Sequence, residues 1–139
     1  MTSGERHGEV IRVGSVIVWY DERRRIGIIE FEPGAELTIE QTQGVTDALI
    51  KVTRGEIRPL IVDFQNMKSQ TKESRDYYSK DPRHAATHTA TALIVNNAVT
   101  RMIANFFLGL NKAVRPVRLF NDRESAIAWI ESLPADKSG

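Results

Sequence analysis

The residues best equipped for chemistry gather in "PLIVDFQNMKSQTKES", Pro59 to Ser74, where two hydroxyls, Ser69 and Thr71, stand beside Lys68 and Lys72. Either hydroxyl could accept a phosphoryl group. A phosphate adds about −1.5 to −2 charge, and the positive end of a following helix, with the two lysines, would hold it. The same residues also suit plain structure. Thr71 can cap a helix that begins near Lys72, a role typically worth ~1 kcal/mol, and Ser69 can be a solvated turn residue. Because such caps are common, the structural reading of the pair outweighs the regulatory one.

Other candidates are weighed in the same way. Asn66, Lys68, Asn96 and Asn97 leave the ends of two apolar runs, and in open α/β sheets ligands sit beyond the carboxyl ends of the strands. These residues form a candidate rim for a ligand or partner, with ordinary loop and cap chemistry as the alternative. His84 and His88 in "HAATH" are four apart and would share a helix face. The zinc-protease pattern needs Glu after the first His, and Ala85 stands there, so no metal is expected. Arg23, Arg24 and Arg25 could touch an anion, but a charged hairpin tip is usually solvated. Tyr77, Tyr78 and Phe107 would suggest a dimer face if exposed. Asp63 has no His near it in sequence to form a dyad. The chain contains no nucleophile elbow, P-loop or dinucleotide fingerprint, so no catalytic set, no enzyme activity and no cofactor are expected.

Composition narrows the classes further. The chain has 139 residues, 41% hydrophobic and 27% charged, which suits one globular domain spanning 1–139 with an ordered core over about 15–133. Nineteen basic and 18 acidic side chains leave a formal charge of +1, giving no electrostatic case for nucleic acid. Without cysteine, disulfides and thiolate chemistry are excluded, and a reducing compartment fits. The start is too charged for a signal peptide, and the apolar run Ala92 to Val95 is far too short to span a membrane. A cytoplasmic location without membrane insertion is expected.

These residues must be held by elements that the apolar pattern specifies. The first dozen residues and the tail "ADKSG" are polar and expected to be loose. "SVIVWY" and "IGIIEF" around "DERRR" predict an antiparallel hairpin. "EPGAEL" predicts a turn, and Thr38 to Gln41 has the form of a capping box. Val45, Ala48, Leu49 and Val52 then follow at helical spacing, with Gly55 as the stop. "LIVDF" predicts a strand covered on both faces, followed by a helix over about 72–80 that ends at Asp81-Pro82. "TALIV" predicts the next strand, capped into a helix by Asn96 or Asn97. That helix carries a stripe of Val99, Met102, Ile103, Phe106 and Leu110. "NKAVRP" leads to a last strand, "VRLF". Asn121 to Glu124 then forms another capping signature, opening a final helix with Ala126, Trp129, Ile130 and Leu133 on one face. Strands alternating with helices imply a parallel sheet. The fold class is therefore α/β: an N-terminal β-hairpin followed by βα repeats, in a mixed, mostly parallel sheet with packed helices.

This order, with "LIVDF" leading to a helix and "PVRLFNDRESAIAWI" closing the chain, resembles the STAS domain of anti-sigma-factor antagonists, also called SpoIIAA-like. The likeness spans roughly Val16 to Leu133, and the closing segment looks more like an uncharacterised bacterial branch than like the regulators. The resemblance implies a non-enzymatic regulatory or protein-interaction module with a protein partner, and it is compatible with homo-oligomers. In the regulators a serine in an Asp-Ser-Ser/Thr-Gly stretch is phosphorylated, which releases the partner. Val62-Asp63-Phe64 matches the strand end, but "KSQTKES" lacks the Asp and the Gly, so the phosphoswitch does not carry over residue by residue to Ser69 or Thr71. A small-molecule or lipid carrier, with an apolar pocket in the same fold, is the alternative.

Overall fold

The computed structural model describes residues 6, 8–80, 88–111 and 116–134. The elements run β1 (Val10–Val13), β2 (Val16–Asp21), β3 (Ile26–Phe31), β4 (Ala35–Leu37), α1 (Ile39–Val52), β5 (Arg58–Asp63) and β6 (Met67–Gln70). They continue with α2 (Lys72–Lys80), β7 (His88–Ile94), α3 (Ala98–Asn111), β8 (Val117–Phe120) and α4 (Arg123–Ser132). Six strands form one sheet in the order β1-β2-β3-β5-β7-β8, and β4 pairs with β6 in a second, two-stranded sheet. The β1-β2 and β2-β3 pairs are antiparallel, and β3-β5, β5-β7 and β7-β8 are parallel. This is the mixed, mostly parallel sheet that the apolar pattern predicts.

Side chains alternate across a strand, so each central strand feeds two cores. Val16, Val18, Ile29, Leu60, Phe64, Leu93 and Val95 pack with Val45, Ala48, Leu49 and Val52 of α1 and with Ile103 and Ala104 of α3. Ile17, Trp19, Ile28, Ile61, Ala92 and Ile94 pack on the other face with Ala126 and Ile130 of α4. "LIVDF" lacks polar alternation because both of its faces are covered.

The structure departs from the sequence reading at several elements. β1 lies within the segment expected to be loose and pairs along β2 from Val10 opposite Trp19 to Val13 opposite Val16. Gly44 of α1 is where β1 docks: a methyl group there would sit 2.7 Å from Val13 Cγ1, so the glycine permits close approach and does more than weaken the helix. The expected turn "EPGAEL" contains β4, and the expected loop 65–70 contains β6. The two are short parallel partners, with Glu36 beside Ser69 and Leu37 beside Gln70. β7 begins at His88 and not at Thr91. The expected helix end at Asp81-Pro82, the tail "ADKSG" and most of "NKAVRP" lie outside the described residues.

Of the stripe expected on α3, Ile103 is buried, Val99 and Met102 are not, and the side chains of Phe106 and Leu110 lie outside the described residues. Val99 and Met102 are 47% and 68% exposed, whereas Thr100, Ile103 and Ala104 are buried. The cap sets this rotation. Asn97 Oδ1 accepts from the Thr100 N–H at 2.9 Å, and Thr100 Oγ1 accepts from the Asn96 and Asn97 N–H groups at 3.1 and 3.2 Å. Thr100 is thereby drawn inward. Positions 103 and 104, one turn further on, share its face, while Val99 and Met102 turn out to solvent.

The other caps follow the sequence. The Thr38 side chain accepts from Gln41 N–H and the Asp122 side chain from Ser125 N–H. After α1, Gly55 adopts φ +78° and donates its N–H to Ile50 O at 2.9 Å, a left-handed stop that glycine takes without strain.

Candidate functional site

Parallel pairing of β3 and β5 sets Ile29 beside Val62. One residue further along both strands, Glu30 and Asp63 therefore fall side by side, on the face that α4 covers, at the carboxyl end of the sheet. Two carboxylates so close and so buried require cations. Arg123, the first residue of α4, supplies one: its Nη2 donates to Glu30 Oε2 at 2.6 Å and to Asp63 Oδ2 at 2.9 Å. Arg6, from the segment before β1, supplies another through Nε to Glu30 Oε1 at 2.6 Å. The Glu30 side chain is 7% exposed and that of Asp63 13%. Asp63 also accepts from the backbone and side-chain amides of Gln65. The N-cap at Asp122 fixes where α4 starts, and hence where the Arg123 side chain leaves the helix.

Burial works to lower the pKa of Arg123, but hydrogen bonds and charge from Glu30, and then from Asp63, outweigh it and raise the pKa above its ordinary value. The guanidinium is a permanent cation. The cluster carries two positive and two negative charges and borders a hollow of about 50 Å³ lined by Arg6, Glu30, Phe31, Asp63, Asn66 and Arg123. Its chemistry is recognition by charge and planar hydrogen bonding. Each carboxylate is hydrogen-bonded to a guanidinium.

Of the rim residues read from sequence, only Asn66 borders this hollow. Lys68 is exposed on β6. Asn96 and Asn97 are exposed and hold the start of α3, with Asn97 Nδ2 donating to Asn96 Oδ1 at 3.0 Å. Thr71 Oγ1 accepts from the Ser74 N–H at 3.2 Å, the geometry of a helix cap. Ser69 donates its hydroxyl proton to Glu36 Oε2 at 3.0 Å across the β4-β6 pair. A phosphate on Ser69 would face that carboxylate, and Lys72 is held 3.4 Å from Asp76. Arg24 pairs with Asp21 and Arg25 approaches Glu56, so the hairpin tip is partly neutralised. His84 and the side chains of Tyr78 and Phe107 lie outside the described residues, and Tyr77 is half-buried. His88 opens a strand, so it cannot share a helix face with His84. Among the described residues no group of three His, Cys, Asp or Glu side chains could hold a metal ion.

Sequence reasoning missed two features. Glu30, Asp63, Arg123 and Arg6 are brought together only by the fold. Ser74, the third hydroxyl of the opening stretch, is fully buried; its Oγ meets Thr42 Oγ1 at 2.5 Å and accepts from Gln70 Nε2 at 3.1 Å, tying α1 to α2. The signal for Arg6–Glu30 was faint, a charge before a strand and a polar residue within an apolar run. For Ser74 it was clearer, because position 74 is the third residue after the Thr71 cap and turns back toward the core.

Sheet order, parallel register and helix placement define an α/β protein with a SpoIIAA-like fold. The chain belongs to the family described as a domain of unknown function, DUF7793, which matches residues 18–134. A solved structure of similar form is that of an uncharacterized protein from the DUF3478 family, with a SpoIIAA-like fold, from Shewanella loihica PV-4. It shares 14% sequence identity with a TM-score of 0.63, covering 88% of this chain and 99% of that one. At that identity the likeness is one of fold. No curated protein matches the chain, and among the described residues no helix is long and apolar enough to cross a membrane.

Proposed function

We propose that this chain is a non-enzymatic interaction module of the cytoplasm that docks a protein partner on the outer face of α3. The observation carrying this reading is the exposure of Val99 and Met102, neighbours one turn apart, on a helix whose opposite face is already buried in the core. Asn96, Asn97, Arg101 and Asn105 surround them and are exposed. An apolar centre within a polar border is the anatomy of a protein–protein contact, and Met adapts well to a partner's shape. The SpoIIAA-like fold agrees with a binding role but does not specify one. The rim hollow among the described residues does not suit a carrier of apolar small molecules: it is about 50 Å³ and lined mostly by charged groups, whereas ligand pockets run to roughly 300–1,000 Å³ and are mostly apolar.

The test is affinity capture at near-physiological concentration, comparing the natural chain with a Val99→Glu/Met102→Glu variant. Stability should change by about 0.5 kcal/mol or less per site, because both side chains face solvent. A protein recovered by the natural chain should be lost from the variant. Equal recovery by both proteins, or repeated recovery of nothing by the natural chain, overturns the proposal.

A further inference from the structure

The structure assigns to Glu30, supported by Asp63, a second binding site: a receptor for a guanidinium group, of which Arg6 is the resident occupant. It lies on the α4 face of the sheet and is independent of α3's outer face.

Three observations carry this assignment. First, Glu30 cannot stand alone. Its side chain is 7% exposed, and Arg123 is shared between it and Asp63. Without Arg6 the group would hold one positive and two negative charges, and Glu30 Oε1 would lose its hydrogen bond. The site therefore demands a cation, and the occupant shows its kind: a planar donor reaching Oε1 at 2.6 Å.

Second, the occupant is separable from the fold. Arg6 precedes the first strand, which starts at Val10, so its departure breaks no hydrogen bond of the sheet. Arg123, by contrast, opens α4 and is fixed by the Asp122 cap. One cation of the cluster is built in and the other is delivered by the segment that precedes β1.

Third, the site is not filled. Arg6 engages Glu30 through Nε, and its Nη atoms have no partner among the described residues. A hollow of about 50 Å³ remains, with Asn66 and Phe31 on its wall. A guanidinium arriving differently could present its two-pronged edge to Glu30 and use the Asn66 amide. The exposed Arg12–Glu32 pair, with both side chains about half exposed, has no such enclosure and provides an internal comparison.

A tethered occupant acts at an effective concentration of around millimolar, so the natural chain should bind external guanidinium weakly and an Arg6→Ala chain should bind it openly. Full-length natural, Arg6→Ala, Arg12→Ala and Arg6→Ala/Glu30→Gln chains are titrated with methylguanidinium chloride against equal sodium chloride, following heat of binding and thermal midpoint. Binding to Arg6→Ala should be saturable and at least about tenfold tighter than to the natural chain, no tighter to Arg12→Ala than to the natural chain, and abolished by the added Glu30→Gln. If Arg6→Ala does not fold alone, its recovery by methylguanidinium supports the assignment, and failure to recover overturns it. Equal effects on Arg6→Ala and Arg12→Ala, or effects that survive Glu30→Gln, also overturn it. A peptide of residues 1–9, "MTSGERHGE", supplied in trans, separates the sources. Tighter binding than methylguanidinium means that the site reads arginine within a polypeptide, equal binding means a free small cation, and no binding of either ligand to a folded Arg6→Ala chain refutes the site.

Discussion

The carboxyl rim of the sheet is held together in two different ways. Along β3 and β5 it is a buried cluster of charges whose members come from opposite ends of the chain, with 93 positions separating Arg123 from Glu30 and 60 separating it from Asp63. After β7, and beside it after β6 of the two-stranded sheet, the helix starts are held by caps closing over three residues, Asn97 to Thr100 and Thr71 to Ser74. A cap is optional to the fold, since water can replace the side-chain oxygen. A buried carboxylate pair is not optional in this sense: once β3 and β5 pair in this register, Glu30 and Asp63 must share a cation or pay desolvation in full. The two halves should therefore respond very differently to the loss of one side chain.

The sharpest way to break that contrast is Arg123→Ala. Removing the guanidinium leaves two adjacent, largely buried carboxylates, and a buried pair that loses one partner typically costs roughly 3–5 kcal/mol. Urea unfolding should show this as a lower midpoint with an unchanged slope. A loss below about 1 kcal/mol would mean that the cluster is solvated like a surface pair, and the distinction between the two halves would vanish.

On the cap side the expected loss is smaller. Thr71→Ala should cost about 0.5–2 kcal/mol, and Thr71→Ser should be close to neutral, because serine offers the same oxygen. A loss on the scale of Arg123→Ala would show that the 65–71 segment is also a long-range structural knot. A Thr71→Ala chain of unchanged stability that lost a partner would instead give the hydroxyl a functional role. The buried contact of Ser74 with Thr42 makes the first of these outcomes a genuine alternative and a useful control: Ser74→Ala should cost more than Thr71→Ala.

The contrast also explains what the sequence disclosed. Caps and apolar periodicity are local signals, so the hairpin, α1, β5, α2, β7, β8 and α4 were legible, as were helix starts at Thr38, Thr71, Asn97 and within Asn121 to Glu124. β4 and β6 were not, since three or four residues carry no period and each exists only because the other lies beside it. β1 is short and half exposed, which leaves its Val-Ile-Arg-Val pattern ambiguous. In α3 apolar residues surround the helix, so periodicity alone could not select the buried face. The Asn97–Thr100 cap could have done so, because a threonine three residues after an asparagine cap fixes the rotation. The charge cluster was illegible for a different reason. Asp63 was visible, but its partners depend on β3 lying next to β5 in one particular register, which no local pattern encodes.

Asp122 joins the two halves and gives the finest test. It is itself a local cap, exposed and bonded to Ser125 N–H at 2.7 Å, yet it anchors the helix that delivers Arg123. The Ser125 backbone N–H, and then the Ser125 hydroxyl, hold the Asp122 carboxyl below its usual range. A folded pKa depressed in this way contributes stability that is present above the unfolded value, near 4, and is lost as pH falls through the folded pKa. Asparagine caps nearly as well but does not titrate. The stability difference between the natural chain and Asp122→Asn should therefore be small near neutrality, favour the natural chain, and disappear toward pH 2. Glu30 and Asp63 are present in both proteins and cancel in the comparison. A difference that stays constant from pH 7 to pH 2 would show that the charge on Asp122 does not stabilise the start of α4. Arg123 would then be positioned by its carboxylate partners alone.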